Sequence, residues 1–94
     1  MQNYAYPIDS DWTMEETIKV VDFFAAVEKV YETGLDAGVF EKKYKEFKSV
    51  VTSISEEKRL DKSFESLSGY SIYQAVKALK MLDNKIGKKL KVSR

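Results

Sequence analysis

The chain has 94 residues, 44% of them hydrophobic and 13% aromatic, a formal net charge of +1, and neither histidine nor cysteine. Without these two it has no imidazole proton shuttle, no thiolate nucleophile and no soft-metal ligand. Most compact catalytic and metal constellations are thereby excluded, and so is a disulfide scaffold.

The length suits one domain spanning residues 1–94, able to bury roughly two-thirds of its unfolded surface. One Pro and four Gly favour long helices over a many-turned β fold. The average charge conceals a division. Residues 1–70 carry nine Lys/Arg against fourteen Asp/Glu, a net of −5, whereas residues 71–94 carry seven against one, a net of +6. Such polarity attracts anionic partners to one end.

Residues 1–12 read as an extended lead-in containing Tyr4, Tyr6 and Trp12, with Pro7 holding Tyr6 extended. The segment has neither the basic region nor the apolar run of a secretory signal, and no stretch reaches the ~18–20 apolar residues of a membrane span. Cytoplasm is the expected compartment. Thr13-Met14-Glu15-Glu16 fits a capping box, which opens a first helix over 14–32, with Gly34 as its stop.

On a helical wheel this first helix has two apolar stripes. Val20, Phe23, Phe24, Val27, Val30 and Tyr31 form one, and Met14, Ile18, Val21 and Ala25 form the other. A surface helix needs only one. Two imply a central helix with neighbours on both sides, or with one side closed by a second subunit.

A second helix over 36–51 repeats Phe40, Tyr44, Phe47 and Val51 at helical spacing. A third begins at Ser53-Ile54-Ser55-Glu56, buries Leu60, Phe64 and Leu67, and stops at Ser68-Gly69. A fourth begins at Ser71-Ile72-Tyr73-Gln74. Its stripe is Ile72, Ala75, Val76, Leu79, Leu82 and Ile86, opposite Lys77, Lys80, Lys85, Lys88 and Lys91. Gly87 weakens a helix interior by about 1 kcal/mol relative to Ala, so this helix frays or ends there and leaves a basic tail over 87–94.

The expected core comprises Phe24, Val27, Phe40, Tyr44, Phe47, Leu60, Phe64, Leu67, Val76 and Leu79. The expected fold is all-α, four helices in a compact irregular array with the first at its centre.

Chemistry-bearing patterns are weak. Asp9-x-Asp11 resembles the start of a calcium loop, but the positions where an EF-hand needs Gly and a carboxylate hold Met14 and Val20. A polar lead-in to a helix cap explains it better. Glu15-Glu16 and Glu56-Glu57 are adjacent helical residues that diverge by ~100°, and first-turn acids complement the helix dipole. No serine elbow, Ser-x-x-Lys pair or phosphate loop is present. Neither an enzyme nor a cofactor is expected.

Two surfaces stand out as candidates. Tyr4, Tyr6, Trp12, Tyr70 and Tyr73 could form an aromatic recognition surface, although aromatics before a first helix more often fold back over the core. Lys77, Lys80, Lys85, Lys88, Lys89 and Lys91 could contact phosphates without sequence preference, with the Ser68–Tyr73 turn resembling that of a helix-turn-helix. Against sequence reading, only Gln74 among the usual base readers lies in the first two turns.

Three segments together are familiar. Tyr4-Ala5-Tyr6-Pro7 running on to Glu16 is the first. Ser53 to Leu60 followed by Phe64-Glu65 is the second, and Ser68-Gly69-Tyr70-Ser71-Ile72-Tyr73 followed by Val76-Lys77 is the third. The chain resembles, from Tyr4 to about Lys80, the YktA-like uncharacterised protein family 0223 of Gram-positive bacteria such as bacilli and enterococci. The resemblance implies a small, all-helical cytoplasmic protein with no known activity, substrate or cofactor. It carries over no functional residues.

The expected role is a small non-catalytic module that binds an unidentified protein partner or itself. Nonspecific nucleic-acid binding through the basic end is the alternative.

Overall fold

The computed structural model describes residues 5–82 and 87–93. In chain order the elements are α1 (Met14–Glu32), β1 (Leu35–Asp36), α2 (Ala37–Val50), α3 (Ile54–Ser68), α4 (Ile72–Lys80) and β2 (Lys89–Leu90). The architecture is all-α apart from one antiparallel bridge, in which Leu35 faces Leu90 and Asp36 faces Lys89.

Helix boundaries follow the side chains that satisfy the first free amides. Thr13 and Glu16 form the complete box: the Glu16 amide donates to Thr13 Oγ1 at 3.1 Å and the Thr13 amide to Glu16 Oε1 at 2.9 Å. Ser53 and Ser71 cap α3 and α4, accepting from the Glu56 and Gln74 amides. Gly69 ends α3 at φ +81°, in the left-handed region that only glycine enters freely.

The core is a stack of phenylalanines on one face of α1. Phe23 lies 4.5 Å from Phe47 of α2, and Phe24 lies 4.8 Å from Phe64 of α3 with the rings nearly parallel. Val20, Val27 and Val30 complete that face, and all five are fully buried. Helix α1 is therefore central, with the aromatic layer binding it to two other helices.

Three expectations need correction. First, among the described residues no helix covers the second stripe of α1, so of the two expected arrangements, neighbours on both sides within one chain is the one that fails. Met14 is 81% and Ile18 54% exposed, and Val21 and Ala25 are half-buried, so the second stripe faces outward.

Second, Leu67 is 45% exposed. The buried line of α3 is Leu60, Phe64 and Ser68, which advances about 40° per four-residue step and turns away from Leu67. Ser68 tolerates burial because its hydroxyl donates to the Phe64 carbonyl and accepts from the Tyr70 amide.

Third, α4 ends at Lys80, with the Met81 amide on the Lys77 and Ala78 carbonyls. The chain is needed elsewhere. Leu90 is buried beside Leu35, the Ala37 amide donates to the Lys88 carbonyl, and the Val92 amide donates to the Val30 carbonyl. These contacts strap the C-terminal segment across the end of α1, where a longer α4 could not reach. Ile86 lies outside the described residues.

Candidate functional site

Of the aromatic candidates, three serve the fold. Tyr6 packs on Phe24 and Phe64 at 5.5 and 6.2 Å, and its hydroxyl donates to Glu28 at 2.6 Å. Burial first, and the Glu28 carboxylate second, push its phenol up to about 12. Trp12 is half-buried against the same core.

Tyr70 stacks on Tyr31 at 4.8 Å and donates to Glu32, while Tyr31 donates to the Ser71 carbonyl. The two rings fasten the α3–α4 turn to α1. Tyr73 is 61% exposed and lies apart in role. Tyr4 lies outside the described residues.

Tyr73 belongs to a groove of about 640 Å³ between α2, α3 and α4. Its floor and edges are apolar: Ile54, Ile72, Tyr73, Val76 and Met81. Three of these are widely exposed, Ile54 at 69%, Tyr73 at 61% and Met81 at 74%. Tyr44, Lys48, Glu57 and Asp61 form its polar wall.

Each wall group already has an internal partner. Glu57 pairs with Lys48 at 2.5 Å and accepts from the Tyr44 hydroxyl at 3.2 Å. Burial, followed by the charge of Glu57, drives the Tyr44 phenol up to about 12. Asp61 accepts the Ile72 and Tyr73 amides at 2.8 and 3.2 Å. It is a long-range cap on α4 from the neighbouring helix, and it meets two amides that Ser71 leaves free. Burial raises the Asp61 carboxyl above its ordinary value, partly offset by those two amides.

What remains open on the rim is cationic. Lys58, Lys77 and Lys80 line the groove and pair with no carboxylate among the described residues. The groove thus offers an apolar bed with positive edges.

The lysines named as phosphate contacts do not form one helical face. Lys77 and Lys80 stand on α4 at the groove, whereas Lys88, Lys89 and Lys91 lie on the C-terminal strap beyond the end of the helix. Lys85 lies outside the described residues. The apparent stripe assumed a helix continuing to residue 86 or beyond, and α4 stops at Lys80.

Asp9 and Asp11 form a local turn instead of a cation loop: the Asp11 amide donates to Asp9 Oδ1 and the Trp12 amide to the Asp9 carbonyl. Among the described residues, no group of three or more Asp and Glu side chains converges as a metal site.

Sequence reading missed Ile54 and Met81 as surface features. The available signal was position. Ile54 falls off the buried line of α3, and Met81 off the stripe of α4, so both are apolar residues without a core to enter.

The family model for the Uncharacterised protein family (UPF0223) matches residues 3–87, farther than the span ending near Lys80 that the motifs indicate. A UPF0223 protein of Enterococcus faecalis is 49% identical over 80 residues, covering 85% of this chain and 87% of its own. A UPF0223 protein of Staphylococcus aureus is 51% identical over 77 residues, covering 82% and 85%. With a family match over almost its whole length and relatives at this identity, the chain belongs to the Uncharacterised protein family UPF0223, whose function is unknown.

Proposed function

We propose that this protein is a non-catalytic interaction module of the cytoplasm, and that the α2–α3–α4 groove is its binding surface. One observation carries the reading: Ile54, Tyr73 and Met81, all more than half exposed, converge on a single concavity. Large apolar side chains scattered singly on a surface need no explanation, but a contiguous patch in a groove does.

The polar wall argues against a reaction site. Glu57 and Asp61 are occupied by Lys48, Tyr44 and the α4 amides. They fasten three helices together and leave no positioned acid–base pair facing the groove. Protein ligands suit such a bed, since aromatic and aliphatic anchors carry most of the energy of protein interfaces.

Site-specific photocrosslinking in cells tests the proposal. A photoreactive residue at position 54 or 73 is expected to trap a protein, and the same residue at Lys45, exposed on α2, is expected to trap none. Equal trapping at all three positions, or trapping at none, rejects the reading.

A further inference from the structure

The geometry points to a second copy of this chain as the groove's occupant, seated through the outward face of α1. This rests on the reading of the groove as a binding surface and names its partner. The first half of α1 presents Met14 and Ile18, one helical turn apart and 81% and 54% exposed, with Ile8 at 48% in the lead-in just before. Residues four apart stand ~5–6 Å from each other on a helix surface, which gives a pair of anchors for an elongated apolar bed. Asp11 and Glu15 flank them, both exposed and in no ion pair among the described residues.

The two patches complement each other in both respects. One is convex and apolar, edged at its N-terminal end by Asp11 and Glu15, with Lys19 one turn beyond Glu15. The other is concave, apolar and edged by Lys58, Lys77 and Lys80. Opposed charge patterns of this kind select orientation and suppress alternatives. Groove against groove would set Lys77 and Lys80 against their own copies, and α1 against α1 would do the same with Glu15 and Asp11. Only α1 in groove pairs unlike edges. The contact joins unlike surfaces, so it runs head to tail and builds a ring or a chain.

A nucleic acid fits this groove less well. The bed between the lysines is aliphatic and aromatic, whereas nucleic-acid interfaces are polar and much more positively charged.

Sedimentation equilibrium of the full chain tests the inference with two surface variants. M14E/I18E removes the anchors and leaves the groove. K77E/K80E reverses the rim and leaves α1. All four side chains are exposed, and circular dichroism checks that each variant keeps its helices.

The wild-type protein is expected to show an average mass that rises with concentration and falls back as salt screens the edges. Each variant alone is expected to associate about tenfold or more weakly. Their equimolar mixture is expected to recover association, because the intact groove of the first accepts the intact α1 of the second.

A wild-type mass that stays monomeric up to ~1 mM overturns the inference, and so does a mixture that fails to recover. In either case a photocrosslink from position 73 to some other protein would leave the groove's role as a binding surface standing. No crosslink of any kind would remove both.

Discussion

Phe24 illustrates how much one side chain carries. Its ring is fully buried, parallel to Phe64 and within reach of Tyr6, so Phe24→Ala removes the layer joining α1, α3 and the lead-in. Truncations of this kind cost about 3–5 kcal/mol, and denaturant unfolding should show a loss in that range. Tyr6 makes a pH-dependent contribution. Its phenol ionises near 12 in the folded protein against 10 when free, so the unfolded chain gives up its proton first. The stabilisation is complete below pH 10 and disappears as pH rises through about 12. Tyr44 acts in the same direction. Thermal melts between pH 9 and 12 should therefore fall more shallowly in Tyr6→Phe than in the wild type.

At the scale of elements, short helices depend on their ends. Helix α4 has only nine residues, too few to persist on propensity alone. Asp61 supplies two of its amide partners from α3. Asp61→Ala should destabilise the protein by about 0.5–2 kcal/mol, the usual cost of a lost cap. The Asp61 carboxyl ionises above its ordinary 3.8, so the native state holds this proton more tightly than the unfolded chain. Its effect on stability is present below pH 3.8 and is lost as pH rises through the raised value. Asp61→Asn should abolish that dependence in acid titrations followed by circular dichroism while keeping one acceptor. Gly69→Ala places a Cβ at φ +81° and should cost about 1–2 kcal/mol, read as a lower denaturation midpoint.

For the whole molecule, the C-terminal strap closes the fold. Leu90 is buried at 3% exposure, opposite Leu35, and Lys89 runs so close to Gly34 that a Cβ there would collide with its side chain. Leu90→Ala should cost about 2–5 kcal/mol. It should also increase hydrogen exchange at Ala37 and Val92, whose amides bond across the strap. At the same scale, Tyr73→Glu should abolish photocrosslinking from position 54 with little change in stability, because the side chain is largely exposed.

The four helices, their caps and eight of the ten expected core residues were legible from the chain alone, with Tyr44 half-buried at the core's edge and Leu67 exposed. The signals involved are local: a 3.6-residue rhythm of large apolar side chains and a capping residue at each start. Local signals say which stripe is apolar but not whether anything covers it, so the outward face of Met14 and Ile18 was visible as a pattern and undecided as a surface. The same limit made Ser68 and Leu67 exchange places, since the drift of a buried line depends on what it packs against. It also extended α4 past Lys80, where Leu90 and β1 compete for the chain. The groove joins residues from Tyr44 to Met81 across three helices. Its concave apolar bed, with a rim of lysines that pair with no carboxylate among the described residues, depends on Glu57 and Asp61 being engaged by Lys48, Tyr44 and the α4 amides. Those pairings join groups on different helices, which the rhythm within any one helix does not reveal.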